Sequence, residues 1–214
     1  MSDPVLLEQY IINHITAEEE YLRELDRETN IKVLRSRMLS GHLQGQLLQM
    51  ISSMIRPYRI LEIGTFTGYS ALCLAKGLKE GGKLHTIEID DELQSIAHKY
   101  FVKSGMVDRI VHHIGDAQQI IPSLNEMFDL VFIDADKRDY CAYYHLAFDK
   151  VRVGGFILAD NILWNGKVVE PQAAEEEQTR GILQFNDLVQ NDNRVCNVIL
   201  PVRDGIMVVQ KVSR

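Results

Sequence analysis

Cysteine is scarce in this chain. Its 214 residues hold three, Cys73, Cys141 and Cys196, so far apart that no C-x-x-C pair exists; they offer neither a thiolate metal site nor a redox motif and read as reduced, buried thiols. Positive charge is also in deficit. A formal net charge of −7 argues against broad, non-specific binding to nucleic acid or an anionic membrane and leaves room for a local basic patch. Met1, Ser2, Asp3 and Pro4 carry none of the basic residues that open a signal peptide. Long hydrophobic runs are missing too: the longest uncharged stretch, residues 38–55, is broken by Gly, Gln, Ser and His, which makes it a poor membrane span. No internal repeat or low-complexity tract breaks the chain. These absences predict a soluble, cytoplasmic protein that does not engage a membrane. Because 46% of the residues are hydrophobic, one sizeable core can form, and a single domain spanning residues 1–214 is expected.

What is present centres on residues 59–70. Ile60, Leu61 and Ile63 form a short apolar run that stops at Gly64, and residues 71–75 resume at helical spacing after Gly68. The pattern is strand, tight turn, helix. A glycine at such a turn admits a ligand close to the backbone, and the free N–H groups at the helix start favour an anion. Glu62, just before the turn, suits a cationic group. The turn reads Gly64-x-x-x-Gly68, not G-x-G-x-x-G, which weakens a dinucleotide reading. About twenty residues on, the strand-like TIEID of residues 86–90 ends in a carboxylate suited to accepting from ribose hydroxyls.

Around this unit the pattern alternates. Helices are expected at 5–15, 17–28 and 43–55, with Thr16 and Glu19 as a capping box. Strands at 59–63, 83–89, 109–114, 128–133 and 153–159 then alternate with helices at 68–79, 91–104 and 139–149, while the segment through Pro122 reads as a turn. Regular β/α alternation predicts a parallel sheet covered on both faces, built by residues 57–214 behind a helical extension of residues 1–56. After a helix at 173–189, begun by the solvated Glu175, Glu176 and Glu177, strands at 195–201 and 206–212 are joined by so few residues that they must form an antiparallel hairpin.

The chemistry collects at strand ends. The buried-type strand at 128–133 runs straight into Asp134, Ala135, Asp136 and Lys137, and residues 155–159 run into Asp160 and Asn161. In an open α/β sheet, the loops at the carboxyl ends surround the ligand crevice, so Asp134, Asp160 and Asn161 should meet beside the glycine turn. Three oxygen donors without Cys or His favour a hard cation, Mg²⁺ most simply. A plainer reading remains open, in which Asp134 caps a helix and Asp160 with Asn161 makes a turn. His112 and His113 are neighbours on a strand and so face opposite sides; Tyr140, Tyr143 and Tyr144 read as packing residues, and Trp164 reads either as packing or as a wall for a planar acceptor.

The segments LEIGTFTGYS (61–70), TIEID (86–90), GDA (115–117), FDLVFIDADK (128–137) and LADNILWNG (158–166) together resemble the cation-dependent O-methyltransferases that use S-adenosylmethionine (SAM), most closely the caffeoyl-CoA O-methyltransferase type and its bacterial relatives, more distantly catechol O-methyltransferase. The resemblance covers nearly the whole chain. It implies a Rossmann-like class I methyltransferase fold with a mainly parallel seven-stranded sheet and an antiparallel C-terminal hairpin. It further implies that Glu62, Gly64 and Ser70 contact the methionine portion of SAM, Glu88 the ribose, and Ala117 with Gln118 the adenine. Met38 and Ser40 would belong to a segment folded over the cofactor. Asp134, Asp160 and Asn161 match metal ligands, for Mg²⁺ or alternatively Mn²⁺ or Ca²⁺; Asp134 also borders the cofactor, and Lys137 matches the general base. The implied acceptor is a hydroxylated aromatic small molecule of catechol or caffeoyl type, and the implied assembly a homodimer. Some bacterial members of this family instead methylate a hydroxylated uridine in tRNA. A catalytically inert SAM-binding protein would lack the metal set or the lysine, and both are here. The chain departs from catechol O-methyltransferase in having Ala135 and Asp136 after its first aspartate, so that enzyme's substrate walls do not carry over.

Overall fold

The computed structural model describes residues 4–170 and 172–213. Eight α-helices and seven strands are found among them: α1 (Pro4–Asn13), α2 (Glu20–Lys32), α3 (Gly41–Ile55), β1 (Arg59–Ile63), α4 (Tyr69–Ala75), β2 (Lys83–Glu88), α5 (Gln94–Lys103), β3 (Ile110–Ile114), α6 (Ala117–Ser123), β4 (Phe128–Ile133), α7 (Tyr140–Phe148), β5 (Val151–Asp160), α8 (Glu177–Gln190), β6 (Val195–Leu200) and β7 (Ile206–Lys211). The strands form one sheet in the order β3-β2-β1-β4-β5-β7-β6. Only β7 is reversed: it pairs antiparallel with both β5 and β6, whereas the other neighbouring pairs are parallel.

Strands at the centre of such a sheet must be apolar on both faces, and alternation divides each strand between two cores. Ile60, Leu84, Leu130, Phe132 and Leu158 face one core with α3, α4 and α5. Leu61, Ile63, Ile87, Val131, Ile133 and Ile157 face the other with α6, α7 and α8. The chain leaves β1 toward β2 and β3 on one side and returns through β4 and β5 on the other. The order therefore reverses between β1 and β4, the switch point at whose carboxyl ends sheets of this kind bind their ligands.

Several local expectations need correction. The segment through Pro122 is the helix α6, not a turn: the Asp116 carboxylate caps it by accepting from the Gln118 N–H at 2.8 Å, and Pro122 lies so near its end that one intrahelical bond is forfeited. The capping box of Thr16 and Glu19 does not form. Helix α2 starts at Glu20 without a side-chain cap, and the Glu19 carboxylate instead pairs with Lys76 Nζ at 2.6 Å. Residues 91–93 make a 3₁₀ turn before α5, and α8 starts at Glu177, four residues beyond the expected 173. Of the three thiols only Cys73 is buried; Cys141 is half-buried and Cys196, on the edge strand β6, is exposed.

Candidate active site

At the end of β1, Gly64 lies at φ +100°, and a Cβ there would fall 2.0 Å from the Asp134 carbonyl oxygen. Only glycine lets the ends of β1 and β4 approach this closely. The turn is held by Gly64 N–H and Thr65 N–H donating to Ile87 O at 3.0 and 3.2 Å, and Asp134 N–H donates to Ile63 O at 2.9 Å. Gly68 then caps α4.

Glu62 is fully buried beneath this turn. Its Oε2 accepts from Thr86 Oγ1 at 2.5 Å, Ser70 lies beside it, and Oε1 has no hydrogen-bond partner among the described residues. Burial, helped by the charges of Asp134 and Glu88, pushes the carboxyl up to about 8 against the opposing pull of the nearby Ser70 and Thr86 hydroxyls. A buried carboxyl with one orphaned oxygen is a receptor for a cationic donor. Glu88 is also buried, at the end of β2. Its Oε2 accepts from Phe66 N–H at 2.6 Å and its Oε1 from Ile89 and Asp90 N–H at 2.9 and 3.0 Å, so it ties β2 to the glycine turn. Burial raises its pKa, with the three backbone N–H groups opposing. Oε1 already accepts two bonds, and Oε2 keeps a second lone pair for a ligand hydroxyl. Ala117 and Gln118 start α6 just beyond the end of β3, the former buried and the latter exposed. Ser40 is buried beside the start of α3, and Met38, 54% exposed, ends the preceding 3₁₀ turn.

The second half of the site stands on β4 and β5. Lys137 is 6% exposed, and its Nζ donates to Asp134 Oδ1 at 2.9 Å and to Tyr140 Oη at 2.6 Å. Tyr140 in turn donates to Asp160 O at 3.0 Å and to Ile133 O at 3.2 Å. Helix α8 presses on this segment through Gly181, where a Cβ would meet Lys137 O at 2.3 Å. Asp160, 3% exposed, accepts from Gln44 Nε2 at 2.6 Å and from Asn161 N–H at 2.8 Å. Burial first, and the Asp134 charge second, push its carboxyl up to about 6, against the pull of Lys137. Asn161 is half-buried at φ 58°, a left-handed conformation that asparagine tolerates better than most residues. Among the described residues no three His, Cys, Asp or Glu side chains are gathered to hold a metal. The donors at hand are two carboxylates and an amide, oxygen ligands of the kind a hard cation takes, with Lys137 Nζ already bonded to Asp134.

The matched family model, described as O-methyltransferase, spans residues 12–212. The chain belongs to the O-methyltransferase family. It is 35% identical to caffeoyl-CoA O-methyltransferase 1 of Eucalyptus globulus, an alignment covering 92% of this chain and 83% of the relative. The O-methyltransferase TomG of Streptomyces achromogenes, solved in complex with SAM, superposes with a TM-score of 0.90 at 27% identity, covering 97% of this chain and 96% of that one. The O-methyltransferase of Bacillus cereus, solved with SAH, gives 0.87 at 29% identity, covering 96% and 97%.

In this O-methyltransferase the sequence-predicted residues fall into two groups that meet at the carboxyl ends of neighbouring strands. Glu62, Gly64, Ser70 and Glu88 surround the turn after β1, Asp134 and Lys137 follow β4, and Asp160 ends β5 with Asn161 directly after it. Gln44 and Arg203 were missed. Gln44 sits with Leu48, Ile51 and Ser52 on the buried face of α3, and a glutamine at a core-spaced helix position was the available signal. Tyr140 is more than the packing residue its helix suggested; its place three residues after Lys137 was the clue. Tyr143 and Tyr144 do pack in the core. Trp164 is half-buried against the second core. His112 and His113 do face opposite sides: His112 meets Phe101 edge-on at 5.8 Å, while His113 Nε2 lies 3.1 Å from His85 Nδ1.

Proposed function

We propose that the enzyme transfers a methyl group from SAM to a hydroxyl of a catechol-type or caffeoyl-type small molecule, with a divalent cation, Mg²⁺ most simply, as its helper. The observation that carries this reading is the gathering of two carboxylates, Asp134 and the buried Asp160, about one buried lysine, Lys137, which is paired to Asp134 beside the glycine turn. The orphaned Glu62 Oε1 supports a SAM subsite, since the methionine portion of SAM ends in an ammonium. Glu62, Gly64 and Ser70 would hold that portion, Glu88 the ribose hydroxyls, and Ala117 with Gln118 the adenine, under a cover that includes Met38 and Ser40.

The acceptor oxygen forms a bond to the methyl carbon as the sulfonium C–S bond breaks, and sulfur keeps the electron pair. The chain must therefore hold oxygen, carbon and sulfur in line and remove the hydroxyl proton. Lys137 Nζ, held by its hydrogen bonds to Asp134 and Tyr140, takes that proton in its neutral amine form and becomes the ammonium. A phenol near pKa 10 must fall about 3 units to ionise at pH 7, roughly 4 kcal/mol. Asp134, Asp160 and Asn161 would hold a cation that, when bound, supplies charge of that order beside the acceptor hydroxyls.

A screen of catechols, caffeoyl esters and hydroxyuridine-containing tRNA for SAM-dependent methylation, with and without EDTA, tests this reading. Chelator-sensitive methylation of the catechols is expected. Activity confined to tRNA, or none on any acceptor despite SAM binding, would overturn it.

A further inference from the structure

Behind Asp160 lies a layer of polar contacts that methyl transfer itself does not call for. Gln44 is 1% exposed on α3, 116 residues from Asp160 in sequence, yet its Nε2 donates to Asp160 Oδ2 at 2.6 Å. The amide oxygen at its other end accepts from Arg203 Nη1 at 3.0 Å. A guanidinium can only donate, so Arg203 leaves the Gln44 amide one orientation, oxygen toward the arginine and NH₂ toward the aspartate.

Arg203 occupies the turn between β6 and β7 at φ 51°, a conformation natural to glycine and unfavourable for arginine. Its Nη1 also donates to the carbonyls of Ser40 and, at 3.4 Å, Leu39. The same turn grips the loop after β5 from the other side. Leu163 N–H donates to Asp204 O at 3.0 Å, Ile162 N–H to Gly205 O at 3.2 Å, and Asn165 N–H to the Asp204 carboxylate at 2.5 Å. A strained arginine thus joins the segment before α3 to the loop that carries Asp160 and Asn161.

We infer that Arg203 and Gln44 are positioning residues for the site: Arg203 fixes the Gln44 amide, and Gln44 holds the Asp160 carboxylate in its working orientation. The C-terminal hairpin, remote from Asp160 in sequence, then sets the geometry of the acceptor half of the site. The inference rests on the cation reading given under Proposed function. Partners one layer behind metal ligands typically govern affinity by 10-fold to 100-fold, so the effect should be measurable without turnover.

Full-length wild type, Gln44→Met, Arg203→Gly and the double variant would be compared for Mn²⁺ binding by electron paramagnetic resonance of the free ion, with neither SAM nor acceptor present. Gln44→Met keeps the length and burial of the side chain, and Arg203→Gly relieves the backbone while removing the clamp; Arg203→Asn, which tolerates the same φ, replaces it if the glycine variant does not fold. Each single variant is expected to bind Mn²⁺ at least about tenfold more weakly. The double variant should be no weaker than Gln44→Met alone, because the two residues act in series, and Gln44→Met should bind SAM within about twofold of wild type.

The Gln44 side-chain amide, assigned in NMR spectra by its loss in Gln44→Met, should be protected from exchange in wild type and lose that protection in Arg203→Gly. An unmoved Gln44 amide in Arg203→Gly overturns the inference whatever Mn²⁺ does. So does wild-type Mn²⁺ binding that both single variants retain. Failure of wild type itself to bind Mn²⁺ would instead overturn the cation reading, and the amide measurement would still decide the link between Arg203 and Gln44.

Discussion

Glu62 concentrates the site's electrostatics in one carboxyl. With its pKa raised by burial to about 8, it is mostly protonated at pH 7 in the free enzyme. A ligand ammonium placed at its orphaned Oε1 would favour the ionised form, so SAM binding should expel close to one proton at pH 7, and progressively fewer as pH rises past 8. Calorimetry in buffers of different ionisation enthalpy measures that number; zero proton release at pH 7 would remove Glu62 from the cofactor subsite. Folding is linked in the same direction. Between the ordinary carboxyl value near 4.5 and about 8 the native state holds a proton that the unfolded chain has lost, so this group's stability contribution is full below that window and is lost as pH rises through it. Glu62→Gln should therefore flatten the decline in Tm over this range.

At the scale of elements, α2 is bound to the core through carboxylates: Glu24 to Lys103, and Glu28 to Lys99 and Tyr100. One buried hydrogen bond, Thr29 Oγ1 to Thr67 Oγ1 at 3.0 Å, carries the helix onto the glycine turn. Hydrogen bonds from Lys32, Lys99 and Tyr100 hold Glu28 down to about 2, so its contribution is present above about 4.5 and is lost as pH falls through 2. Glu28→Gln should cost about 1 kcal/mol near neutrality, because its lysine partners are half exposed. Melting curves should show the gap between variant and wild type closing from pH 5 toward pH 2; a gap that persists there would contradict the assignment. These ties were invisible in the sequence because they join residues about 40 to 80 positions apart. The strands were legible: Arg59–Ile63 and Phe128–Ile133 are near-continuous apolar runs, as burial on both faces requires, and the expected limits match. Helix ends were less so. Glu19 could pair with Lys76 as readily as cap a helix, and a proline in a seven-residue helix looks the same as one in a turn.

For the whole molecule, the sheet order explains why residues as distant as Glu62 and Asp160 serve one crevice, and this part of the site could be read from the strand ends. The layer behind it could not, since Gln44 and Arg203 belong to no motif and gain meaning only where α3 meets the β6–β7 turn. Helix α1 leaves Val5, Leu6, Leu7 and Tyr10 half or more exposed, apolar surface suited to a second copy. A dimeric mass by light scattering at micromolar concentration is the expected result, and a monomer would reject the homodimer. The central claim is that Asp134, Asp160 and Asn161 act through a divalent cation, and it is tested most directly by the methylation rate on a catechol after exhaustive EDTA treatment, followed by Mg²⁺, alongside Asp160→Ala. The account predicts that EDTA abolishes transfer, Mg²⁺ restores it, and Asp160→Ala lowers it about a thousandfold, the loss of roughly 4 kcal/mol of hydroxyl acidification, while SAM still binds. Wild-type transfer that survives chelation undiminished would contradict it and return the two aspartates and the asparagine to capping and turn roles.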